Sequence, residues 1–540
     1  MINDCRVPRV VPAARGENFA FSVIVRMRKE PGDDGGEFAA FFADGLSRGA
    51  PVETGEPKTF FAPANPDESA ANQTLSMNTI TLLGAAGEVT GSAYLVQTRR
   101  AAVLVDFGMF QGRNLATSAN QVPPDLDPQH LAAVVLTHAH LDHTGRLPLL
   151  IRRGFAGAIY ATPASLEMTK LILEDSARIQ EQDAERENRK RAEKHKPPLP
   201  PLYTSADVAG VVALFKPLPY HESVAVAPGI TVRMYEAGHI LGSASIEMTL
   251  DEAGVRKVLV FSGDLGPRNA PILKDAECLT RADVVFMEST YGDRDHRSMA
   301  DTVSEFRQLV VEAVAKKARI LVPTFAVGRA QQIMYHLSGM FADKVVEPFP
   351  IILDSPMAIE ATRITRAHPE LYDDDMRERT ARGEFQKNLS YVRNSITADD
   401  SRALNDLPGP CLIMAGAGMC NAGRILHHLR HNLSRAGTVV LIVGYQTPGS
   451  LGRLLVDGAK TVTMFGERIT VRAVTHSLGG FSAHAGQTDL LEWLACLAPK
   501  HPRVVLTHGE DRGRLPLAEM IEKRFGLKPR LPELGEVIEI

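Results

Sequence analysis

The sequence predicts an α/β fold that contains more than one domain. Short runs of apolar and β-branched residues alternate with helical patterns from Met77 to about Gly292, and again between residues 293 and 480. Alternation of strands and helices is typical of the α/β fold class. The chain has 540 residues, which is more than one hydrophobic core ordinarily holds.

Four segments are predicted along the chain. Residues 1–76 are expected to form a disordered extension, because they are mainly polar and show little periodicity. Residues 77–292 are assigned to the first part of the main domain, residues 293–480 to an inserted α/β domain, and residues 481–540 to the return of the main domain. Met77 directly precedes the first predicted strand, so a translation start at this residue stays open.

The first strand ends that carry chemistry lie before residue 144. Residues 103–105 predict a strand that ends at Asp106, and residues 131–136 predict a buried strand. Directly after the second of these comes Thr137-His138-Ala139-His140-Leu141-Asp142-His143. Imidazoles and carboxylates are ligands that zinc prefers, and four of them at this density are hard to place around a single tetrahedral ion. The spacing therefore favours two adjacent metal ions.

A long helix is predicted from Ser165 to about Lys196. Its second half is highly charged, and several lysines and arginines lie between residues 186 and 196. Glutamates are interleaved with them, so we interpret this part as a solvated helix end rather than as a positively charged lid over an active site.

Three later strands also end on a residue that can bind a metal. Apolar runs predict strands directly before His239, Asp264 and His508. Glycines beside these residues let the backbone approach an ion closely. A single histidine or aspartate after a strand is ordinary loop chemistry, but a whole series of such strand ends in one chain indicates a shared site.

The inserted domain is predicted to contain a largely parallel sheet. Helical stretches separate its strands, which cover residues 319–323, 351–354, 411–414 and 439–443. No internal repeat is found.

These motifs resemble the metallo-β-lactamase superfamily, and in particular its β-CASP nucleases, which carry an inserted domain. The superfamily pattern is matched by Asp106, the motif from His138 to His143, His239 and Asp264. Three motifs of the β-CASP branch contain Glu288 in Met-Glu-Ser-Thr-Tyr-Gly, His484 in Gly-Phe-Ser-Ala-His-Ala-Gly and His508 in Thr-His-Gly-Glu. Bacterial ribonuclease J and the eukaryotic cleavage-and-polyadenylation endonuclease belong to this branch. The resemblance covers about Met77 to the C-terminus and implies a metallo-β-lactamase αββα sandwich with an inserted α/β β-CASP domain.

The resemblance also implies two zinc ions per chain, held by histidines and aspartates. One ion is assigned to His138, His140 and His239, the other to Asp142, His143 and His508, and Asp264 is assigned to both. Asp106 is implied to orient the histidine-rich loop through hydrogen bonds. The ions would activate a hydroxide for attack on phosphorus.

The implied reaction is hydrolysis of RNA phosphodiester bonds, which leaves a 5′-phosphate. In the family, the histidine at the position of His484 is proposed to protonate the leaving oxygen, and Glu288 would raise the pKa of that imidazole. Ser482 and Arg329 are interpreted as residues that bind RNA phosphates. Single-stranded RNA is the expected substrate, because RNA-acting members of the branch carry histidine at the position of His508. A homodimer is allowed.

Three alternatives stay open. The chain could be a DNA nuclease of the same fold, a metallo-hydrolase that acts on a thioester or lactone, or an inactive scaffold. The inserted domain and His484 argue against a small-molecule substrate, and the complete ligand set argues against a scaffold. The sequence does not distinguish cleavage within the RNA from cleavage at its 5′ end.

Composition sets further limits. The net charge of −4 indicates no general basic surface, so RNA binding must depend on a local groove. No apolar run is long enough to predict a membrane span. The five cysteines are scattered and lack a Cys-x-x-Cys spacing, so we expect reduced thiols and a cytoplasmic protein.

Overall fold

The computed structural model describes residues 78–112, 117–252 and 254–540. The predicted disordered extension, residues 1–76, lies outside these residues. Across the described ranges, twenty-one strands form three large sheets and one hairpin. No helix in this part of the chain is long and apolar enough to cross a membrane.

The strands are numbered along the chain. The first group is β1 (Thr79–Leu82), β2 (Tyr94–Gln97), β3 (Ala102–Val105), β4 (Leu131–Val135), β5 (Ala158–Ala161) and β6 (Phe215–Pro217). The second group is β7 (Ser223–Ala227), β8 (Ile230–Glu236), β9 (Ala244–Glu252), β10 (Val255–Phe261) and β11 (Val284–Glu288). The third group is β12 (Arg319–Pro323), β13 (Ile351–Leu353), β14 (Val392–Asn394), β15 (Cys411–Ala415), β16 (Thr438–Ile442), β17 (Thr461–Met464), β18 (Glu467–Thr470) and β19 (Val474–Ser477). The chain ends with β20 (Arg503–Thr507) and β21 (Val537–Glu539).

The helices are numbered in the same way. Those before residue 300 are α1 (Leu141–Thr144), α2 (Leu147–Arg152), α3 (Pro163–Glu193), α4 (Ser205–Ala213) and α5 (Met299–Ala315). Those that follow are α6 (Arg329–Ala342), α7 (Pro356–Ala367), α8 (Asp374–Ala381), α9 (Glu384–Asn388), α10 (Ala398–Ala403), α11 (Arg424–Asn432), α12 (Leu451–Val456), α13 (Gln487–Ala495) and α14 (Asp511–Phe525). Helix α3 starts where Thr162 caps it and Pro163 occupies its first turn.

Two sheets pack face to face. The first has the order β21-β1-β2-β3-β4-β5-β6 and the second has the order β20-β11-β10-β9-β8-β7. Side chains such as Val103, Val135, Phe261 and Phe286 fill the space between them. Each sheet is also buried on its outer face, the first by apolar residues of α2, α3 and α4 and the second by those of α13 and α14. The four layers confirm the predicted αββα sandwich.

The third sheet belongs to the inserted part of the chain. Its order is β14-β13-β15-β12-β16-β19, and all of its strand pairs are parallel. Both faces are buried, because a separate cluster of apolar side chains lies on each side of it. Strands buried on both faces are continuous apolar runs rather than alternating ones, as in residues 319–323 and 411–415. The predicted inserted α/β domain is therefore confirmed.

Strand pairing gathers the site. Strands β10, β11 and β20 are parallel neighbours, with Phe261 opposite Phe286 and Glu288 opposite Thr507. The loops after their carboxyl ends therefore meet at the same edge of the second sheet. This edge lies against the corresponding edge of β3 and β4 in the first sheet, because His143 after β4 contacts Asp264 after β10.

The prediction of five reduced cysteines is wrong for two of them. Cys278 and Cys496 form a disulfide, and their Cα atoms are 5.7 Å apart. The two residues are 218 positions apart in the sequence, so no local spacing could reveal the pair. Cys411 and Cys420 are free and buried, and Cys5 lies outside the described residues.

Candidate metal centre and active site

The histidine-rich loop is held by Asp106. This residue follows β3 with a φ of 56°, and its carboxylate accepts hydrogen bonds of 2.8 Å from both the backbone N–H and the hydroxyl of Thr137. It also lies 2.8 Å from Nδ1 of His143. These contacts orient the loop from below, which leaves Nε2 of His143 free to face the site.

Gly108 allows the two loops to come this close. A Cβ atom at this position would lie 1.5 Å from the carbonyl oxygen of Asp142. The neighbouring backbone bonds confirm the tight approach, because the N–H of Phe107 donates to the carbonyl of His143 at 2.8 Å. Any larger residue at position 108 would therefore displace the loop that carries the candidate ligands.

Four side chains converge in a first cluster, namely those of His138, His140, His239 and Asp264. Nδ1 of His140 lies 3.1 Å from Nε2 of His138 and 3.1 Å from Nε2 of His239. Asp264 completes the cluster, since its Oδ2 lies 3.5 Å from His138 Nε2 and 3.6 Å from His239 Nε2. Nδ1 of His239 donates to the carbonyl oxygen of Ala483 at 2.7 Å, which turns its other nitrogen toward the cluster.

A second cluster contains Asp142, His143 and His508. Nε2 of His508 lies 3.7 Å from Oδ2 of Asp142. The other carboxylate oxygen of Asp264, Oδ1, lies 3.3 Å from His143 Nε2 and 3.5 Å from His508 Nδ1. One oxygen of Asp264 therefore faces each cluster, so this carboxylate lies between the two.

The donor atoms of both clusters fit metal ions. Burial lowers the pKa of His138, His140 and His239, so these imidazoles are neutral and carry a lone pair for coordination. Oδ1 of Asp264 and Nε2 of His508 are buried and have no hydrogen-bond partner among the residues that the structure describes. Unsatisfied polar atoms are costly inside a protein, and a cation between them would satisfy both. Imidazole and carboxylate donors in this number suit zinc and related divalent ions.

His484 and Glu288 form a third group beside the clusters. Nδ1 of His484 lies 3.4 Å from Oε1 of Glu288 and 3.9 Å from Oδ2 of Asp264. Burial alone would lower the pKa of His484. The charge and hydrogen bond of Glu288, together with the charges of Asp264 and Asp142, outweigh burial and raise the pKa to about 9. Glu288 is itself buried and accepts the backbone N–H of Leu265 at 2.6 Å. The imidazole is therefore held in its protonated form next to the metal-binding residues.

Hydrogen bonds that the sequence did not predict hold the loop around His484. Nε2 of His296 donates to the carbonyl oxygen of His484 at 3.0 Å. The amide of Gln487 donates to the carbonyl of Gly292 at 2.6 Å, and Thr488 donates to Asp295 through its N–H and its hydroxyl. The available sequence signal was a histidine eight positions after Glu288, in the segment Asp293-Arg294-Asp295-His296, which follows no predicted strand end of its own.

Ser482 and Arg329 lie at a cavity next to His239. Gln331 and apolar residues also line this cavity. The hydroxyl of Ser482 accepts the N–H of His484 at 3.2 Å. Arg329 is only 8% exposed, yet it makes no ion pair with any described residue, and its Nε has no partner. The guanidinium donates to Gln332 and lies 5.8 Å from the ring of Phe481.

Comparison with known proteins agrees with this geometry. Family models match residues 86–324 as metallo-beta-lactamase superfamily, residues 330–455 as Beta-Casp domain and residues 468–532 as Zn-dependent metallo-hydrolase RNA specificity domain. Ribonuclease TTHA0252 of Thermus thermophilus is 38% identical over 462 residues, which cover 85% of this chain and 99% of that protein. Transcription termination factor FttA of Pyrococcus abyssi is 31% identical, and that of Methanocaldococcus jannaschii is 29% identical. Each of these two alignments covers 85% of this chain and 71% of the relative.

Proposed function

This chain belongs to the β-CASP branch of the metallo-β-lactamase superfamily, and from that premise we propose that it is a ribonuclease that uses two zinc ions to hydrolyse single-stranded RNA. One observation carries the proposal. The carboxylate of Asp264 presents one oxygen to each of two histidine and aspartate clusters, and the imidazole of His484 lies 3.9 Å from it. This arrangement suits hydrolysis of a phosphodiester with a poor leaving group.

In the proposed site all ligands are histidines and aspartates. His138, His140 and His239 would hold one zinc, and Asp142, His143 and His508 would hold the other. Asp264 would serve both, because one of its oxygens faces each cluster. When bound, such ions lower the pKa of water and neutralise negative charge on the phosphate. Asp106 keeps His143 in the tautomer that points Nε2 inward, because it accepts the proton on Nδ1.

His484 is the proposed general acid. Attack on phosphorus expels an alkoxide, which needs a proton, and the family's 5′-phosphate product makes the 3′-oxygen the leaving atom. Glu288 keeps the imidazole protonated through its charge and hydrogen bond. The hydrogen bonds from His296 to the carbonyl of His484 and from Thr488 to Asp295 fix the backbone around the imidazole. Proton donation therefore comes from a group whose position and charge the protein both sets.

Arg329 and Ser482 are proposed to bind RNA phosphate beside the cut. A buried guanidinium without a carboxylate partner is costly, and a phosphate in the neighbouring cavity would provide its missing counter-charge. The first turn of α6 supports this role, because its cap residue Gly328 has no side chain that could cap the helix.

The substrate prediction compares two matched oligonucleotides. We expect single-stranded RNA to be cleaved about tenfold faster than DNA of equal sequence, which is the effect of one or two hydrogen bonds to 2′-hydroxyls. Binding should weaken as salt rises, because most contacts are to phosphates. The measurement is the cleavage rate of end-labelled strands at one salt concentration. Equal or faster cleavage of the DNA would favour the DNA-nuclease alternative instead.

Location and assembly complete the proposal. A cytoplasmic enzyme would meet RNA, although the Cys278–Cys496 disulfide is a bond that the cytoplasm rarely keeps. A homodimer is the proposed assembly, and light scattering of the purified chain tests it directly.

A further inference from the structure

Two aromatic side chains are exposed at the carboxyl edge of the third sheet. Phe325 lies two residues after β12 and is 43% exposed, and Tyr445 lies three residues after β16 and is 40% exposed. Strands β12 and β16 are adjacent and parallel, so both rings emerge at the same edge. The carboxyl ends of strands are where open α/β sheets bind their ligands.

The ring of Phe325 packs against the backbone of two glycines. A Cβ atom at Gly418 would lie 2.8 Å from the ring, and one at Gly444 would lie 3.4 Å from it. These glycines follow β15 and β16, the two neighbours of β12 in the sheet. One side of the ring is therefore fixed against two glycine segments, while the rest of it is open to solvent.

Both aromatic residues connect to the metal-binding clusters. The Phe325 loop continues to Gly328. A Cβ atom at Gly328 would lie 3.6 Å from the side chain of Ile240, which is the residue after His239. On the other side, the side chain of Tyr445 interacts with that of Arg512 in the first turn of α14. The two rings thus lie next to loops that lead directly to the candidate ligands His239 and His508.

A single exposed hydrophobic residue needs no explanation. Here, however, two large rings share one edge, the ring of Phe325 packs closely on Gly418, and the loops at this edge lead to the catalytic groups. Single-stranded RNA presents unstacked bases, and proteins bind these by stacking them on aromatic rings without regard to sequence. The net charge of −4 offers no broad basic surface that could do this instead.

We propose that Phe325 and Tyr445 form an aromatic platform on which bases of the single-stranded substrate stack next to the cleaved bond. The inference rests on the proposed ribonuclease function and adds to it the residues that hold the bases. The flat faces of the rings accept any base, so the platform supplies affinity and position rather than sequence preference.

The test measures RNA affinity in the full chain carrying His484→Ala, which keeps every proposed metal ligand and cuts slowly. Fluorescence anisotropy with a labelled single-stranded oligoribonucleotide gives Kd. We expect Phe325→Ala and Tyr445→Ala each to weaken binding by about 5- to 100-fold. Phe325→Leu should bind the RNA as weakly as Phe325→Ala, because leucine lacks an aromatic face. Phe325→Trp should bind the RNA at least as tightly as the parent with phenylalanine.

Phe465→Ala is the matched control. Phe465 is a phenylalanine of the same inserted domain and is 55% exposed, but it lies at the β17–β18 hairpin and stacks on His427. Its removal should leave Kd within twofold of the parent. Thermal melting of all variants verifies that they are folded.

A set of oligonucleotides with one abasic position each distinguishes stacking from a structural effect. When the abasic position is the one that stacks on Phe325, the strand should bind the His484→Ala parent and its Phe325→Ala variant equally well. The base that makes the contact is then absent from both complexes. The inference is overturned if Phe325→Leu binds as tightly as phenylalanine, or if the loss in Phe325→Ala is the same for every abasic strand. A wild-type chain that cuts no RNA would instead refute the proposed function, and its RNA affinity would still report on the platform.

Discussion

His484→Ala is expected to lower kcat for RNA cleavage by about 10²–10⁴-fold while the zinc content stays unchanged. The substitution removes the group that is proposed to protonate the leaving 3′-oxygen, and it leaves every proposed metal ligand in place. Single-turnover cleavage of a labelled RNA, together with elemental analysis of the same preparation, measures both quantities. RNA cleavage at a near wild-type rate would show that His484 has a different role.

A substrate with a better leaving group provides the control. A phosphodiester that releases p-nitrophenolate needs little proton transfer, so His484→Ala should cleave it at close to the wild-type rate. Glu288→Gln should retain partial RNA cleavage. Because the carboxylate raises the pKa of His484, its neutral replacement should move the alkaline limb of the pH–rate profile to lower pH. An acid loses its proton as pH rises through its pKa, so a lower pKa ends activity earlier.

Asp264→Ala is expected to lose at least one of two zinc ions and nearly all RNA cleavage. The reason is geometric, because its Oδ2 faces His138 and His239 while its Oδ1 faces His143 and His508. Removing the carboxylate takes a proposed ligand from both clusters. Elemental analysis after gel filtration gives the number of ions per chain.

Asp142→Ala is the matched comparison. Asp142 belongs to the second cluster alone, so this variant should keep the ion held by His138, His140 and His239. An Asp264→Ala protein that retains two ions would contradict the bridging role. A freshly prepared wild-type protein without zinc, whose activity added zinc does not restore, would contradict the two-zinc mechanism as a whole.

Sequence alone determined the fold class and the identity of the clustered residues. This was possible because the candidate ligands either lie within six residues of one another, from His138 to His143, or follow apolar strands. His239, Asp264 and His508 each follow such a strand, and this series of strand ends, together with the resemblance to the metallo-β-lactamase superfamily, allowed them to be expected at one site before any distance was known. The pairing of Glu288 with His484 was expected on the resemblance to the β-CASP nucleases rather than on spacing.

Tertiary structure alone decided how these groups face one another and what supports them. The division of the two Asp264 oxygens between the clusters depends on four separate loops. Two further contacts join segments that are far apart in the chain, namely the hydrogen bond from His296 to His484 and the packing of Phe325 on Gly418 and Gly444. The Cys278–Cys496 bond does so across 218 positions, which is why the cysteine prediction was wrong. Local patterns report the periodicity and chemistry of a segment, whereas the contacts between distant segments are set by how the sheets and the inserted domain pack, and one sequence by itself does not record that packing.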